Sequence, residues 1–282
     1  MRRQLFLASA GALALTGAAF AADLPIAPPP PPPPVFTWTG IYIGGYGGGE
    51  VTHTSYNTLV GAPLSPFSHL TPIDIAGVDA AGSQTLNRGG FTMGGELGYN
   101  WQIGWLVLGV ETDIGGVTGS TRSNSLGLIN GTGSGPGVFF PFALTQRADN
   151  GLYGTTRGRL GVAFGQALIY GTGGVAYTSG SYSFVYADGL FPAAGFASTN
   201  NKIGYVVGGG VEYALNNNVS VKGEFLYTQY GKVTTSGLIV NTAVPTFTNT
   251  FTTSARVQEY TARVGINYRF NWFNQAPVVA KY

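Results

Sequence analysis

The side chains that could do chemistry in this sequence are few and sit among apolar neighbours. Glu96, Glu111 and Asp113 fall within GGELGYNWQIGWLVLGVETDI, Gly94 to Ile114, which is apolar at nearly every second position. Arg157, Arg159, Glu212, Lys222, Glu224, Arg263 and Arg269 recur in runs of the same kind. Five carboxylates and five cations held together could pair into a buried network or line a charged path for ions or small solutes. The choice depends on what their neighbours face.

A two-residue period sorts them. Leu97, Tyr99 and Trp101 share a face with Phe91, Met93 and Gly95, while Thr92, Glu96, Asn100 and Gln102 lie opposite. After a tight break at Gln102 to Gly104, Leu106, Leu108, Val110, Thr112 and Ile114 line one face, and Trp105, Val107, Gly109, Glu111 and Asp113 the other. By the same rule Leu160, Val162 and Phe164 oppose Arg157 and Arg159, and Ile203, Tyr205, Val207, Val211 and Tyr213 oppose Glu212. Val219, Val221, Phe225 and Tyr227 oppose Lys222 and Glu224, and Tyr260, Val264, Ile266, Tyr268 and Phe270 oppose Arg263 and Arg269. Glu50 lies in a Gly- and Tyr-crowded segment whose faces the pattern does not separate.

The elements that must position these groups are eight alternating segments of roughly ten residues, the length of a tilted spanning strand. They lie at about Trp38 to Val51, Gly90 to Gln102, Gly104 to Ile114, Gly151 to Phe164, Ala167 to Tyr177, Lys202 to Ala214, Val219 to Tyr230 and Glu259 to Phe270. Hairpin-sized turns at Ile103, Gly165-Gln166 and Leu215 to Asn218 alternate with long polar connections through Thr52 to Gly89, Gly115 to Asn150, Thr178 to Asn201 and Gly231 to Gln258. Short turns on one side and long loops on the other, with an even strand number, predict an all-β, eight-stranded, antiparallel up-and-down transmembrane β-barrel with both termini on the turn side. In hydrocarbon every backbone polar group must be paired internally, so the sheet has to close, and the charges must then point into the lumen. Outward Tyr99, Trp101, Tyr213, Tyr268 and Phe270 near the turn-side ends fit an aromatic girdle.

Composition points the same way. Only 9% of residues are charged and 44% are hydrophobic, with 45 Gly and 16 Tyr, which argues against a soluble enzyme. No apolar run beyond residue 22 is long enough for a spanning helix. Arg2 and Arg3, the apolar stretch Leu5 to Phe20 and Ala19-Phe20-Ala21 read as a signal peptide over residues 1–21. Without Arg2 and Arg3 the 14 basic residues fall to 12, against 12 acidic ones, so the mature chain has no electrostatic footprint for nucleic acid. Pro28 to Pro34, within a proline-rich periplasmic spacer at 22–35, form a stiff extended segment of about 22 Å at ~3.1 Å per residue. The barrel then takes 36–270 and a periplasmic tail 271–282.

Other candidate chemistry is thin. The absence of cysteine excludes thiolate catalysis and Cys-ligated metals, and His53 and His69 are too few for a His-based metal site. Both histidines fall in Ser/Thr-rich connections with no acidic partner identifiable from spacing, so no catalytic residues and no cofactor are expected. The runs Gly44 to Gly49 and Gly208 to Gly210 lack the Lys-Ser/Thr pair and helix of a phosphate loop and read as glycine in curved strands. Phe139 to Phe142 and Phe184 to Phe196 could be adhesive patches, but fit packed loop cores or strand extensions better. A barrel of eight strands is nearly filled by its own side chains, so the ten charges are expected to form a salt-bridge network that plugs it. A narrow charged path is the alternative.

The last segment, Arg263-Val-Gly265-Ile-Asn-Tyr268-Arg-Phe270, resembles the C-terminal insertion signal of bacterial outer-membrane barrels, with Gly265, Tyr268 and Phe270 as its marks. Together with AFAADLP near the start, Phe36-Thr-Trp38-Thr-Gly40-Ile-Tyr42 opening the first segment, and PVVAKY at the end, the chain resembles the small outer-membrane immunogenic proteins of alphaproteobacteria, grouped with opacity-like porins and the OmpA-type barrel. The extension 271–282 departs from a strictly terminal signal. The resemblance implies an abundant, non-enzymatic surface antigen in the outer membrane of a Gram-negative cell, exported across the inner membrane. Its expected roles are envelope integrity and surface display through four loops, or else low-conductance porin activity. The implied partners are outer-membrane lipids including lipopolysaccharide, the barrel insertion machinery, periplasmic chaperones, and host or cell-wall contacts.

Overall fold

The computed structural model describes residues 36–63, 67–118, 120–130, 137–149, 151–189 and 193–270. The signal segment 1–21, the proline spacer 22–35 and the tail 271–282 lie outside the described residues. Eleven strands and one helix follow in order: β1 (Gly40–Pro63), α1 (Pro72–Gly82), β2 (Thr85–Ile103), β3 (Leu106–Val117), β4 (Ser120–Ile129), β5 (Phe140–Asp149), β6 (Leu152–Phe164), β7 (Ala167–Asp188), β8 (Ala193–Ala214), β9 (Val219–Tyr230), β10 (Val233–Asn241) and β11 (Thr248–Phe270). All pairings are antiparallel. An eight-stranded ring runs β1-β2-β3-β6-β7-β8-β9-β11 and closes through β11 onto β1. Gly104 and Gly165, both at φ 61°, make the left-handed bends of the β2–β3 and β6–β7 turns, a conformation that glycine adopts without a Cβ penalty.

The long connections differ from irregular loops. β1, β2, β7, β8 and β11 run well past the predicted ends, and β4, β5 and β10 lie wholly within stretches read as loop. Above the membrane-sized part of the ring, β5 pairs β7 and carries β4 on its other edge, while β10 takes over from β9 along β11. A hydrogen-bonded strand end gains by continuing its ladder into polar sequence such as Thr85-Leu-Asn-Arg88, where serine and threonine suit the solvent face. Helix α1 packs against β1 and β4. It begins with a full capping box, in which Thr71 accepts from Asp74 N and Asp74 Oδ2 from Thr71 N, after a pattern that gave no helical period to read.

Four layers fill the interior. At the turn end Trp38, Val107, Leu168, Tyr170 and Ala214 pack with Phe36. Trp38 was expected to open the first strand. It instead precedes it and plugs the mouth, with its backbone N–H donating to Gln102 Oε1 (2.7 Å) and its indole to Gly165 O (3.2 Å). The charges come next. Ala176, Val206, Leu226, Tyr230 and Val257 form an apolar layer above them. Above it α1, β4, β5, β10 and the far ends of β1, β7, β8 and β11 form a cap with its own core of Val60, Leu70, Val78, Ile129, Phe142, Leu144, Phe184, Tyr186, Ile239 and Phe251. Of the loop aromatics, Phe142 and Phe184 are therefore core residues, while Phe139 and Phe196 stay exposed. Trp105, assigned to the lumen side, is 66% exposed because it sits in the turn where strand alternation has ended.

Candidate functional site

Strand register assembles the charged layer. Glu111 faces Arg157 across β3–β6, Arg263 faces Glu224 across β11–β9, and Glu212 faces Lys222 across β8–β9. Glu96 and Asp113 lie directly opposite across β2–β3, a like-charge pairing that is unfavourable unless cations reach both. Lys222 reaches Glu96 Oε2 at 2.7 Å, and Arg263 and Arg157 each reach Asp113 Oδ2 at 3.0 Å.

Glu111 is the hub. It is paired with Arg157, with Arg159 Nη1 at 3.3 Å and with Lys222 Nζ at 3.1 Å, and accepts from the Tyr42 hydroxyl at 2.7 Å. Arg157 turns its other nitrogen to Glu224 (2.9 Å), and Arg159 turns its own to Glu212 (2.7 Å). Arg263 holds Glu224 at 2.7 Å while its guanidinium lies 4.0 Å over the Tyr46 ring. Arg159 lies 3.9 Å over Tyr170, whose hydroxyl donates to Glu224. Ser220 and Asn267 complete Glu212, and Thr155 donates to Asp113. Six strands supply charge, and β1 and β7 supply Tyr42, Tyr46 and Tyr170, so every strand of the ring contributes.

Missing side chains on the wall make room for these groups. A Cβ on Gly98 would fall 2.3 Å from the Tyr42 ring, so Tyr42 can lie flat beneath Glu111 only because residue 98 is glycine. Gly265, read as an insertion mark, sits under the Lys222 stem, 3.3 Å from where its Cβ would be. Tyr268 and Phe270 stack edge to face at 5.1 Å on the outer side.

Nine of the ten predicted charges meet in this layer, and the tenth does not. Arg269 is buried but lies at the turn end, with its guanidinium over Phe36 (4.7 Å) and Trp38 (5.0 Å) and donating to Asn217 O. The five-to-five balance is thus corrected. Four cations, Arg157, Arg159, Lys222 and Arg263, face five carboxylates, and tyrosine, threonine, serine and asparagine donors share the excess negative charge. Arg269 shares the strand parity of Arg263 but is six residues away, so parity gives its face and says nothing of its height.

Sequence reading missed a second charged group nearer the cap. Glu50 is buried, accepts from Thr52 Oγ1 (2.8 Å) and faces Arg88 Nη2 at 3.7 Å. Lys202 is 4% exposed and lies over the Tyr182 ring. Parity could have found them: residue 50 is in phase with Tyr42 and Tyr46, 88 with Glu96, and 202 with Glu212. Glu259 is likewise in phase with Arg263.

Both histidines are accounted for in the structure. His53 Nδ1 lies 2.6 Å from Asn87 Oδ1. His69 is buried in the cap between Asp188 Oδ2 on Nε2 (2.8 Å) and Asn241 Nδ2 on Nδ1 (3.3 Å). Asn241 Oδ1 accepts from Ala243 N and Val244 N, which fixes its amide to donate to Nδ1 and leaves Nε2–H to donate to Asp188. Tyr186 also donates to Asp188 (2.9 Å), and burial, with Asp188 beside it, pushes its phenol well above the usual range. Among the described residues no group of His, Cys, Asp and Glu is arranged to hold a metal.

The family match and the related sequences agree with this architecture. Residues 8–270 match the outer membrane protein beta-barrel domain family. The chain is 37% identical over 281 residues to the 31 kDa outer-membrane immunogenic protein of Brucella melitensis, covering 95% of this chain and all of that one. It is 32% identical over 158 residues to a 22 kDa outer membrane protein of Rhizobium leguminosarum bv. viciae, covering 53% of this chain and 61% of the relative. Among solved structures the outer membrane protease OmpT of Escherichia coli aligns with a TM-score of 0.41 at 10% identity, over 83% of this chain and 98% of that one. The chain belongs to the outer membrane protein beta-barrel domain family and is a protein of the outer membrane.

Proposed function

We propose that this protein is a non-enzymatic surface barrel that contributes to envelope integrity, with a lumen closed by its ion network and an ordered cap displayed outside the cell. The observation that carries the reading is the Glu111 hub: its side chain and that of Arg157 are fully shielded from solvent, and every strand of the ring sends a side chain to the layer around them. A network made by all the strands both fills the bore and ties the staves together, and an ion could cross only by breaking buried pairs. The cap core supports display of a fixed surface. The printed name of the Brucella relative, an immunogenic protein, fits such a surface. The engagement of His69 by Asp188 and Asn241, and of His53 by Asn87, supports the non-enzymatic part, since among the described residues neither is paired with a hydroxyl nucleophile.

A low-conductance path for ions or small solutes is the second reading. It is favoured by polar atoms in the lumen that find no hydrogen-bond partner among the described residues, such as Asn100 Oδ1, Asp113 Oδ1 and Asn267 Oδ1. Planar-bilayer recording of the refolded protein separates the two. The closed reading expects no steady openings from the native chain and openings after Arg157→Ala. Steady openings of the native chain that change when Arg157 or Glu212 is neutralised would establish the path and remove the plug.

A further inference from the structure

The outer wall of the barrel is electrostatically one-sided. Every strand carboxylate whose side chain is described has the inward parity, whereas Lys232 and Arg256 are exposed on the outside. Their meeting follows from topology. β9 and β10 both pair with β11, β9 up to Gln229↔Gln258 and β10 from Val233↔Ala255, so Lys232, in the step between them, comes opposite Arg256. The two border one groove with Ser55, Asn57, Ser254 and Gln258, and no carboxylate lines it. Among the described residues neither cation has an ion-pair partner. Like charges in facing positions on a sheet repel, and an anion between them removes the penalty.

The height of the groove names the anion. Directly below, Gln258 donates to Tyr227 Oη (3.0 Å), Tyr227 donates to Gln229 Oε1 (2.8 Å), and the Tyr227 and Tyr260 rings pack at 5.1 Å. Amphipathic aromatics of this kind mark headgroup level. Arg256 stands four residues beyond Tyr260, about 13 Å along the strand, on the loop side, which faces the outer leaflet. Paired Arg and Lys with neutral donors nearby suit the several acceptor oxygens of a phosphate. We propose that this groove binds a phosphate group of an outer-leaflet lipid, with Lys232 and Arg256 as its cations and Ser55, Asn57 and Gln258 as neutral donors.

The test uses the full chain refolded in detergent, offered bisphosphorylated lipid A or its dephosphorylated form, with bound lipid counted by native mass spectrometry. The native chain retains the phosphorylated lipid about tenfold better, the scale of one charge-assisted hydrogen bond. Lys232→Gln with Arg256→Gln abolishes that preference, and Lys232→Arg with Arg256→Lys keeps it. Heat-dependent electrophoretic mobility verifies that each variant is folded, and the two-lipid comparison on the native chain needs no variant. Equal retention of the two lipids, or an undiminished preference in the folded Gln variant, would overturn the site. A third arm adds millimolar inorganic phosphate: no displacement is expected, and displacement would reassign the groove to a free anion and defeat the lipid assignment.

Discussion

Arg157 and Arg269 are both buried arginines on the inward face, yet they carry unequal burdens. Arg157 touches Glu111, Asp113 and Glu224, so its removal leaves three carboxylates short of a cation in a low-dielectric layer. Breaking a buried ion set by deleting one member costs about 3–5 kcal/mol. Among the described residues the Arg269 guanidinium touches a carbonyl and two rings, with the Glu212 charge acting on it from farther off, so Arg269→Gln loses a hydrogen bond and stacking, about 1–2 kcal/mol. Urea unfolding of the refolded protein in lipid, followed by tryptophan fluorescence, should place Arg157→Ala well below Arg269→Gln. Equal losses would mean that the central layer is not a coupled network. Gly98 offers a second check at this scale. Gly98→Val puts a branched side chain where the Tyr42 ring lies, which should displace Tyr42 from Glu111 and destabilise the barrel by about 1–3 kcal/mol, as overpacking does.

At the scale of elements the cap has a core of its own built on shared strands, which predicts that it opens separately from the ring. Its core residue Phe184 is 2% exposed and lies 4.6 Å, ring to ring, from Phe251, so Phe184→Ala should cost about 3–5 kcal/mol. The loss should fall on the cap: amide exchange should accelerate in α1, β4, β5 and β10 while the ring keeps its heat-dependent mobility. Uniform acceleration throughout would show cap and ring to be a single cooperative unit. The contrast also explains what the sequence disclosed. Within the bilayer one face must be apolar and the other must be filled, so Leu97 against Glu96 or Val264 against Arg263 declares its side at once. Above the bilayer the outer face meets water, and runs such as Thr121-Arg122-Ser123-Asn124-Ser125 lose the contrast that marks a strand, so β4, β5 and β10 read as loop. α1 was hidden for a related reason: Ile73, Ala76 and Ala80 are exposed while Val78 is buried, and apolar residues all round give no helical stripe. Within the site, parity found the face of each charge in the clear segments. In segment one glycine occupies both faces and blurs the alternation, so Glu50 was left unassigned although it is in phase with Tyr42 and Tyr46.

For the whole molecule the decisive quantity is length. β1 has 24 residues, roughly 80 Å of strand at ~3.3 Å per residue, or about 60 Å along the barrel axis at a tilt near 40°. The apolar belt of an outer-membrane barrel is only about 25 Å tall, so more than half of this wall must stand outside the bilayer. The exposed Leu160, Val211 and Val264 near the turn end are then lipid contacts, whereas Leu126, Val185 and Phe196, also exposed, stand in water. With no native cysteine, single substitutions can be read without background. A fluorophore on Leu160→Cys or Val264→Cys should be quenched by nitroxide lipids. The same probe on Val185→Cys should escape lipid quenching and respond to aqueous iodide, and one on the inward-facing Thr172→Cys, 8% exposed, should respond to neither. The ordering follows from strand closure and membrane height together. Quenching of Val185→Cys by lipid would set the bilayer across the cap and expel the ion network from the membrane, whereas lipid access to Thr172→Cys would mean that the ring does not close.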